Sequence, residues 1–343
     1  MNIGEIARQA GVSRSTVSYV LSGKRPIGQA TRDRVMAIIE QSEFRPSAVA
    51  RALSNGSTRT IALIVPRLHQ HLNIEILRFV GAIAESAAGD EFDTLVSPGG
   101  DGEREDALDR LVRERRVDGV ILMETLIPDR RAEFLLGQHF PFVTIGRAGH
   151  DHEHDWVDTD YEGLVDEAVG RLAAAGHRHV ALVSRPREML DKGYCLSVNA
   201  ATAFTAACRR HRIDATMFCC EEDESGAAAC VAEILGAATS DAGPITGIVS
   251  VNDRSLAPMT DEFAARGIGI PADLSIIAVA DSTVADRTSP PVTAADVPTP
   301  TLAAVAVETL LKRIGSTGSP PVRQLFRSQY VDRGSVAEPP RPN

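Results

Sequence analysis

The sequence has no apolar run near the roughly 18 residues that cross a bilayer. Its start, MNIGEIARQ, has no apolar core behind a basic end, as an export signal would. Membrane insertion and export are therefore not expected, and the expected location is the cytoplasm. Aromatics make up only 4% of the chain, with Trp156 the sole tryptophan, so few rings are available to stack on a ligand. The five cysteines fall between Cys195 and Cys230 without CxxC or zinc-ligand spacing, which reads as reduced core thiols rather than a disulfide framework or a zinc module. Lysine is scarce too, at three of 36 basic residues.

What is present is unevenly placed. The net charge is −10, yet residues 1–60 hold nine Lys/Arg against four Asp/Glu, a balance of +5 that leaves −15 on the rest. An acidic body with a basic head suits a polyanion met by one end only. The head reads as three short helices. Asn2 and Glu5 have capping-box spacing and open a helix with Ile3, Ile6, Ala7 and Ala10 on one side, which Gly11 stops. Ser13 then caps a second helix with Val17, Val20 and Leu21 on one face. Residues 31–40 supply a third, closing a small core with Val35, Ile38 and Ile39. Two helices around a glycine-centred turn make a helix-turn-helix, and the second exposes Arg14, Ser15 and Tyr19 where a recognition helix meets base edges. Arginine there can pair bidentately with guanine.

The stretch RPSAVARALSNG, residues 45–56, poses a problem of burial. It allows barely two turns of helix after Pro46, too few to be stable alone, yet Val49 and Leu53 share a side. From IGEIARQAGVSRSTVSYVLSGKRPIGQATRDRVMAIIEQ through to RALSNGSTRTIALIVP, the head resembles the lac repressor/galactose repressor (LacI/GalR) family. The resemblance implies that this segment is a hinge helix, folding when two protomers pair on operator DNA, with Leu53 wedged into the minor groove. An apolar wedge of this kind unstacks a base step, offset by contacts along the bent duplex. The DNA contacts so implied are Arg14, Ser15, Thr16, Tyr19, Lys24, Arg25, Ala50 and Leu53.

Beyond Thr60 short β-rich runs alternate with helical stretches: TIALIVP, DTLVSPG, VDGVILM, PFVTIGR, HVALVS, ITGIVSVND and LSIIAVADS. Such alternation indicates parallel sheets covered by helices, with ligands beyond the carboxyl ends of the strands. The resemblance implies a two-lobed periplasmic-binding-protein-like body. The expected fold is thus α/β: an all-α helix-turn-helix head at 1–45, a hinge helix and linker at 46–58, and a body at 59–335. Lobe 1 is expected at about 59–155 and 291–319 and lobe 2 at about 156–290 and 320–335, with crossings near 155–158, 290–293 and 320. A tail follows at 336–343, after the closing motif RGSV. That tail has no apolar heptads, so a homodimer rather than a tetramer is expected.

In the effector cleft the resemblance implies roles for Asn252 and Asp253 in VSVND, Arg147 in TIGR, Asp158 in WVDTD and Asp281 in AVADS. Where the family usually has an Asn-Pro-Phe-Phe-like segment this chain reads RLHQHLN, residues 67–73, of which Leu72 and Asn73 are expected at the effector. The family's arginine before the corresponding helix is replaced around Val198, Asn199 and Ala200, and its Gly-Tyr/Phe-Asp-Asp motif by Ala278-Val279-Ala280-Asp281. The usual sugar is thereby opened to replacement by another small molecule.

GHDHEHDW, residues 149–156, alternates His150, His152 and His154 with acids, a set that can bind zinc, nickel or copper, but no partner ligands are identifiable, and no metal or other cofactor is expected. His69 and His71 are no stronger. An enzyme is not expected: GxSxG and a phosphate loop are both missing, and SPGGDGE has the wrong glycine spacing for a dinucleotide turn. A free-standing solute-binding protein would share the body but have no use for a basic helix-turn-helix. The reading is of a DNA-binding transcriptional regulator, most simply a repressor. Deleting residues 1–58 should leave a body that still melts cooperatively but retards no DNA in a gel shift; a truncated chain that still binds DNA specifically would overturn the assignment of the head.

Overall fold

The computed structural model describes residues 2–22, 25–42, 56–66, 74–99, 106–149, 154–237, 243–316 and 318–341. The hinge segment with Ala50 and Leu53, and also Lys24, His69, His71, Leu72, Asn73, His150 and His152, lie outside the described residues.

The head contains α1 (Ile3–Ala10), α2 (Arg14–Ser22) and α3 (Gln29–Gln41). The reciprocal bonds between Asn2 and Glu5 form a capping box at the start of α1, and Gly11 ends it at φ 65°, a left-handed conformation that glycine adopts at little cost. Ile6, Ala7, Ala10, Val17, Val20 and Val35 close a core no larger than the sequence suggests. The third helix begins two residues earlier than its apolar periodicity indicates, at Gln29.

The body alternates strands and helices: β1 (Thr60–Pro66), α4 (Ile74–Gly89), β2 (Asp93–Gly99), α5 (Asp106–Arg113), β3 (Gly119–Leu122), α6 (Arg130–Gly137), β4 (Phe142–Ile145) and β5 (Asp155–Thr159). Then come α7 (Tyr161–Ala175), β6 (His179–Ser184), α8 (Arg187–Asp191), α9 (Cys195–His211), β7 (Asp214–Cys219), α10 (Glu224–Gly236), β8 (Gly247–Ser250), α11 (Asp253–Ala265), β9 (Ser275–Val279), α12 (Ser282–Ala285) and β10 (Thr293–Ala295). The chain finishes with α13 (Thr299–Gly315), β11 (Arg323–Phe326) and β12 (Tyr330–Val331).

Two six-stranded sheets result, ordered β11-β5-β4-β3-β1-β2 and β12-β10-β9-β8-β6-β7. Only β12 runs antiparallel to its neighbour. Every apolar run recognised in the sequence is a strand. β3, β4, β6, β8 and β9 are buried throughout, as parallel strands covered on both faces must be. Each sheet separates two apolar clusters, one under each helical layer.

The chain passes between lobes three times, each crossing a few residues downstream of its expected position. β5 pairs with β4 and β11 in lobe 1, so the first crossing falls at Asp160 rather than within 155–158. β10 pairs with β9 in lobe 2, which moves the second to 296–298, and β11 returns to lobe 1, which moves the third to 327–329. These strands are short and carry polar residues (DWVDT, TAA, RQLF), so they lack an apolar run's signature. Asp155, 3% exposed, explains why such strands hold: its carboxylate accepts from Arg313 Nε at 2.8 Å, Arg313 Nη2 at 2.9 Å and the Val322 amide at 2.7 Å, tying β5, α13 and the approach to β11 together. The chain beyond 335 also runs along lobe 2, with the Ala337 amide donating to Ser275 Oγ at 3.1 Å.

The linker from the head enters lobe 1 through one carboxylate. Asp118 accepts from Ser57 Oγ at 2.5 Å, from the Thr58 amide at 2.7 Å and hydroxyl at 2.9 Å, and from the Arg59 amide at 2.9 Å. Asp118→Ala strands these donors. It should lower body stability by about 1–3 kcal/mol and speed amide exchange at Thr58 and Arg59, measured by thermal unfolding and hydrogen exchange.

Candidate nucleic-acid interface and interlobe cleft

The exposed part of the head is the start of α2. Val17 and Val20 are turned into the core, which leaves Arg14 and Ser15 exposed and Thr16 and Tyr19 half-exposed on the other faces. Ser13 Oγ accepts the Thr16 amide at 3.0 Å and bonds the Ser15 and Thr16 hydroxyls at 2.7 and 2.8 Å, gathering three hydroxyls at a helix N-terminus. That end carries free N–H groups and partial positive charge, suited to phosphate oxygens. The sequence assigned Ser13 only a cap; the structure adds it to the polar surface. Arg25 lies over the Tyr19 ring, 5.2 Å from its centroid, holding the ring beside the recognition helix.

In the body, the carboxyl ends of both sheets face one another and enclose two adjoining cavities that share Glu75, Tyr161, Leu196 and Val297. The lining comes from residues at or just past strand ends: Glu124 and Thr125 after β3, Gly146 after β4, Asp158 on β5, Asp253 after β8, and Asp281 after β9. Strand ends bring loop side chains to the seam, which is why open α/β sheets bind ligands there.

The seam is crossed by ion pairs. Arg185, 8% exposed and following β6 in lobe 2, donates to both oxygens of lobe 1's Glu124 at 3.1 and 2.9 Å and lies 3.6 Å from Glu222. Arg78 on α4 pairs with Asp281 of lobe 2, and Arg147 reaches Glu162 on α7 at 3.2 Å. Two backbone bonds join the lobes as well, from the Cys195 amide to the Thr125 carbonyl and from the Ile127 amide to the Gly193 carbonyl, both 2.8 Å. Gly193 has φ +81°, and a Cβ there would stand 2.9 Å from the Ile127 carbonyl oxygen, so only glycine permits this approach.

Burial sets the electrostatics. It pushes Glu75 up to about 8, assisted by Asp253 and Glu124 and opposed by Arg185 and Arg78. It pushes Asp158 up to about 6, against the pull of Arg147. Burial alone would lower Arg185, but Glu124 and Glu222 overcome it and hold the guanidinium firmly charged.

The expected effector residues divide. Asp158, Asp253 and Asp281 line the cavities. Arg147 stands behind Asp158, bonded to it at 3.2 Å. Asn252, 1% exposed, lines neither cavity: its carbonyl oxygen caps α11 at the Ser255 amide, and its Nδ2 donates to the Cys220 carbonyl at 2.9 Å and the Ser184 carbonyl at 3.4 Å. An amide so placed ties three strand ends and is not open to a ligand. Glu75, Glu124, Tyr161 and Arg185 went unread in the sequence. A signal existed for two of them, since Glu124 and Arg185 stand within two residues of the ends of apolar runs, where cleft loops begin. His154 is stacked on Phe142 with ring centroids 5.0 Å apart and shares a bond of 3.1 Å with Thr144 Oγ1. No group of three potential metal ligands occurs among the described residues, and no helix among them is long and apolar enough to cross a membrane.

The model for bacterial regulatory proteins of the lacI family matches residues 2–47, and that for the periplasmic binding protein-like domain matches residues 169–336. The chain is 26% identical over 349 residues to the HTH-type transcriptional regulator MalR of Streptomyces coelicolor, covering 98% of this chain and 97% of that one. It is 28% identical over 342 residues to the regulator CelR of Thermobifida fusca, covering 96% of each. Among solved structures, it resembles a CelR–cellobiose complex with TM-score 0.72 at 23% identity, covering 98% and 99% of the two chains. It also resembles the lac repressor dimer bound to operator and the anti-inducer ONPF, with TM-score 0.81 at 20% identity and the same coverage. At these identities the structural likeness establishes the fold.

Glu75 generates a pH prediction. Because its folded value lies above the ordinary 4.5, the native state binds more protons than the unfolded one, and stability falls as pH rises through that interval to about 8. The unaltered protein should melt lower at about pH 8.5 than at about pH 6.5, and Glu75→Gln should remove most of that difference in differential scanning calorimetry.

Proposed function

Because the chain belongs to the lacI family of bacterial regulatory proteins, we propose that it is a transcriptional repressor that binds a pseudo-palindromic operator as a homodimer and is released or recruited by a small polar effector in the interlobe cleft. The observation that carries this reading is the pairing of an exposed, polar α2 N-terminus with a body whose two lobes meet across charged strand ends.

Arg14, Ser15, Thr16 and Tyr19 read or grip the major groove, with Lys24 and Arg25 on adjacent phosphates. Leu53, supported by Ala50, enters the minor groove at the operator centre, and two protomers supply two such wedges. The effector contacts Asp158, Asp253 and Asp281, with Arg147 orienting Asp158 and Leu72 and Asn73 completing the site. A sugar is the class suggested by the cellobiose complex of CelR. Effector binding alters how the lobes close, and with it the spacing of the two hinge segments. Such coupling needs only different effector affinities for the two arrangements. Nothing in this scheme calls for catalysis or a cofactor, and the protein works in the cytoplasm, where its DNA is.

Genomic fragments retained by the purified full-length protein supply the operator for the test. In fluorescence anisotropy, Arg14→Ala should weaken operator binding by about 1–3 kcal/mol through lost base contacts. Leu53→Ala should weaken operator binding on the order of tenfold or more while changing nonspecific affinity by less than about twofold, and binding of both DNAs should fall steeply with salt. Equal losses on both DNAs would remove the wedge; a flat salt response would remove the head.

A further inference from the structure

The charge of the cleft is lopsided. Among the described residues lining its two cavities, Glu75, Glu124, Asp158, Asp253, Asp281 and Asp296 are carboxylates and Arg185 alone is basic. Arg78 and Arg147 reach in from behind as partners of Asp281 and Asp158, so six acids face three guanidiniums. Arg67 is the single arginine in the segment of seven residues that follows β1, too little to reverse the balance. Buried carboxylates in excess are costly unless they take up protons or meet a cation. Glu75 takes up a proton, held on it near neutral pH by burial beside Asp253 and Glu124.

The protein's own side chains supply an example of a cation met by these acids. The Arg185 guanidinium sits against Glu124 and Glu222, within the field of Glu75 and Asp253, and is already recognised by carboxylates from both lobes. A hydroxyl is also waiting. Thr125, 2% exposed, lines the cavity beneath Glu124, and its Oγ1 has no hydrogen-bond partner, as an oxygen awaiting a ligand hydroxyl would be left.

Resting on the reading of this cleft as the effector site, we propose that the effector is a small organic cation, a hydroxylated amine such as an amino sugar, with its ammonium group between Glu75 and Asp253 and a hydroxyl on Thr125. A neutral sugar leaves the acid excess uncompensated, and a phosphorylated or carboxylated one adds to it.

The test uses full-length protein and two sets of ligands that differ mainly in charge: glucosamine, glucose and glucuronate on a ring, and glucamine, sorbitol and gluconate on a chain. Isothermal titration calorimetry should show the cation of at least one set binding about tenfold or more tighter than both its counterparts. Asp253→Asn should close most of that gap while operator affinity stays unchanged. Preference for a neutral or anionic member, or no preference for cations in either set, overturns the charge assignment and leaves the cleft reading standing. Should a favoured ligand bind the Asp253→Asn and Glu124→Gln proteins as tightly as the unaltered one, the ligand sits elsewhere, and both readings fall.

Discussion

Burial of charge at the seam between two parallel sheets constrains the rest of this molecule. Doubly covered strands are apolar along their length, so polar groups collect where the strands end, and here the ends of both sheets meet. Removing one partner of a buried pair such as Arg185–Glu124 leaves the other charge unpaired, at about 3–5 kcal/mol. The pair is thus a strong determinant of geometry while adding little net stability. It permits one registration of the lobes, and the backbone bonds at Thr125–Cys195 and Ile127–Gly193 add a directional limit. A ligand that competes for Glu124 or Asp253 competes with closure itself, which is the differential interaction a switch requires.

The same economy of strand ends explains how far the sequence could be read. The head was legible because its determinants are local: the Asn2–Glu5 box, the Ser13 cap and the apolar spacing of Val17 and Val20 each lie within one turn. The seven apolar runs were legible for the complementary reason, since a strand buried on both faces announces itself by composition. β5, β10 and β11 did not, because Asp155 and its bonds to Arg313 and Val322 hold polar sequence in a sheet through partners about 160 residues away.

Within the cleft the ambiguity is chemical. Asp253 and Asn252 adjoin one another at the start of α11, and both residue types cap helices or hold ligands equally well. Only the neighbours decide: Asn252 finds the Cys220 and Ser184 carbonyls, and Asp253 finds the cavity. Glu75, Glu124 and Arg185 were illegible because an isolated charge in a loop resembles solvated surface until tertiary structure removes the water.

The grip of Asp118 on Ser57, Thr58 and Arg59 has a mechanical meaning. Three consecutive residues fastened to one carboxylate cannot swivel about a single bond, so the linker leaves lobe 1 as a stiff spoke rather than a loose tether. Rotation of that lobe is delivered to the head as torque, while rotation of lobe 2 reaches it only through the seam. The head is geared to one lobe, and the cleft acts as the clutch.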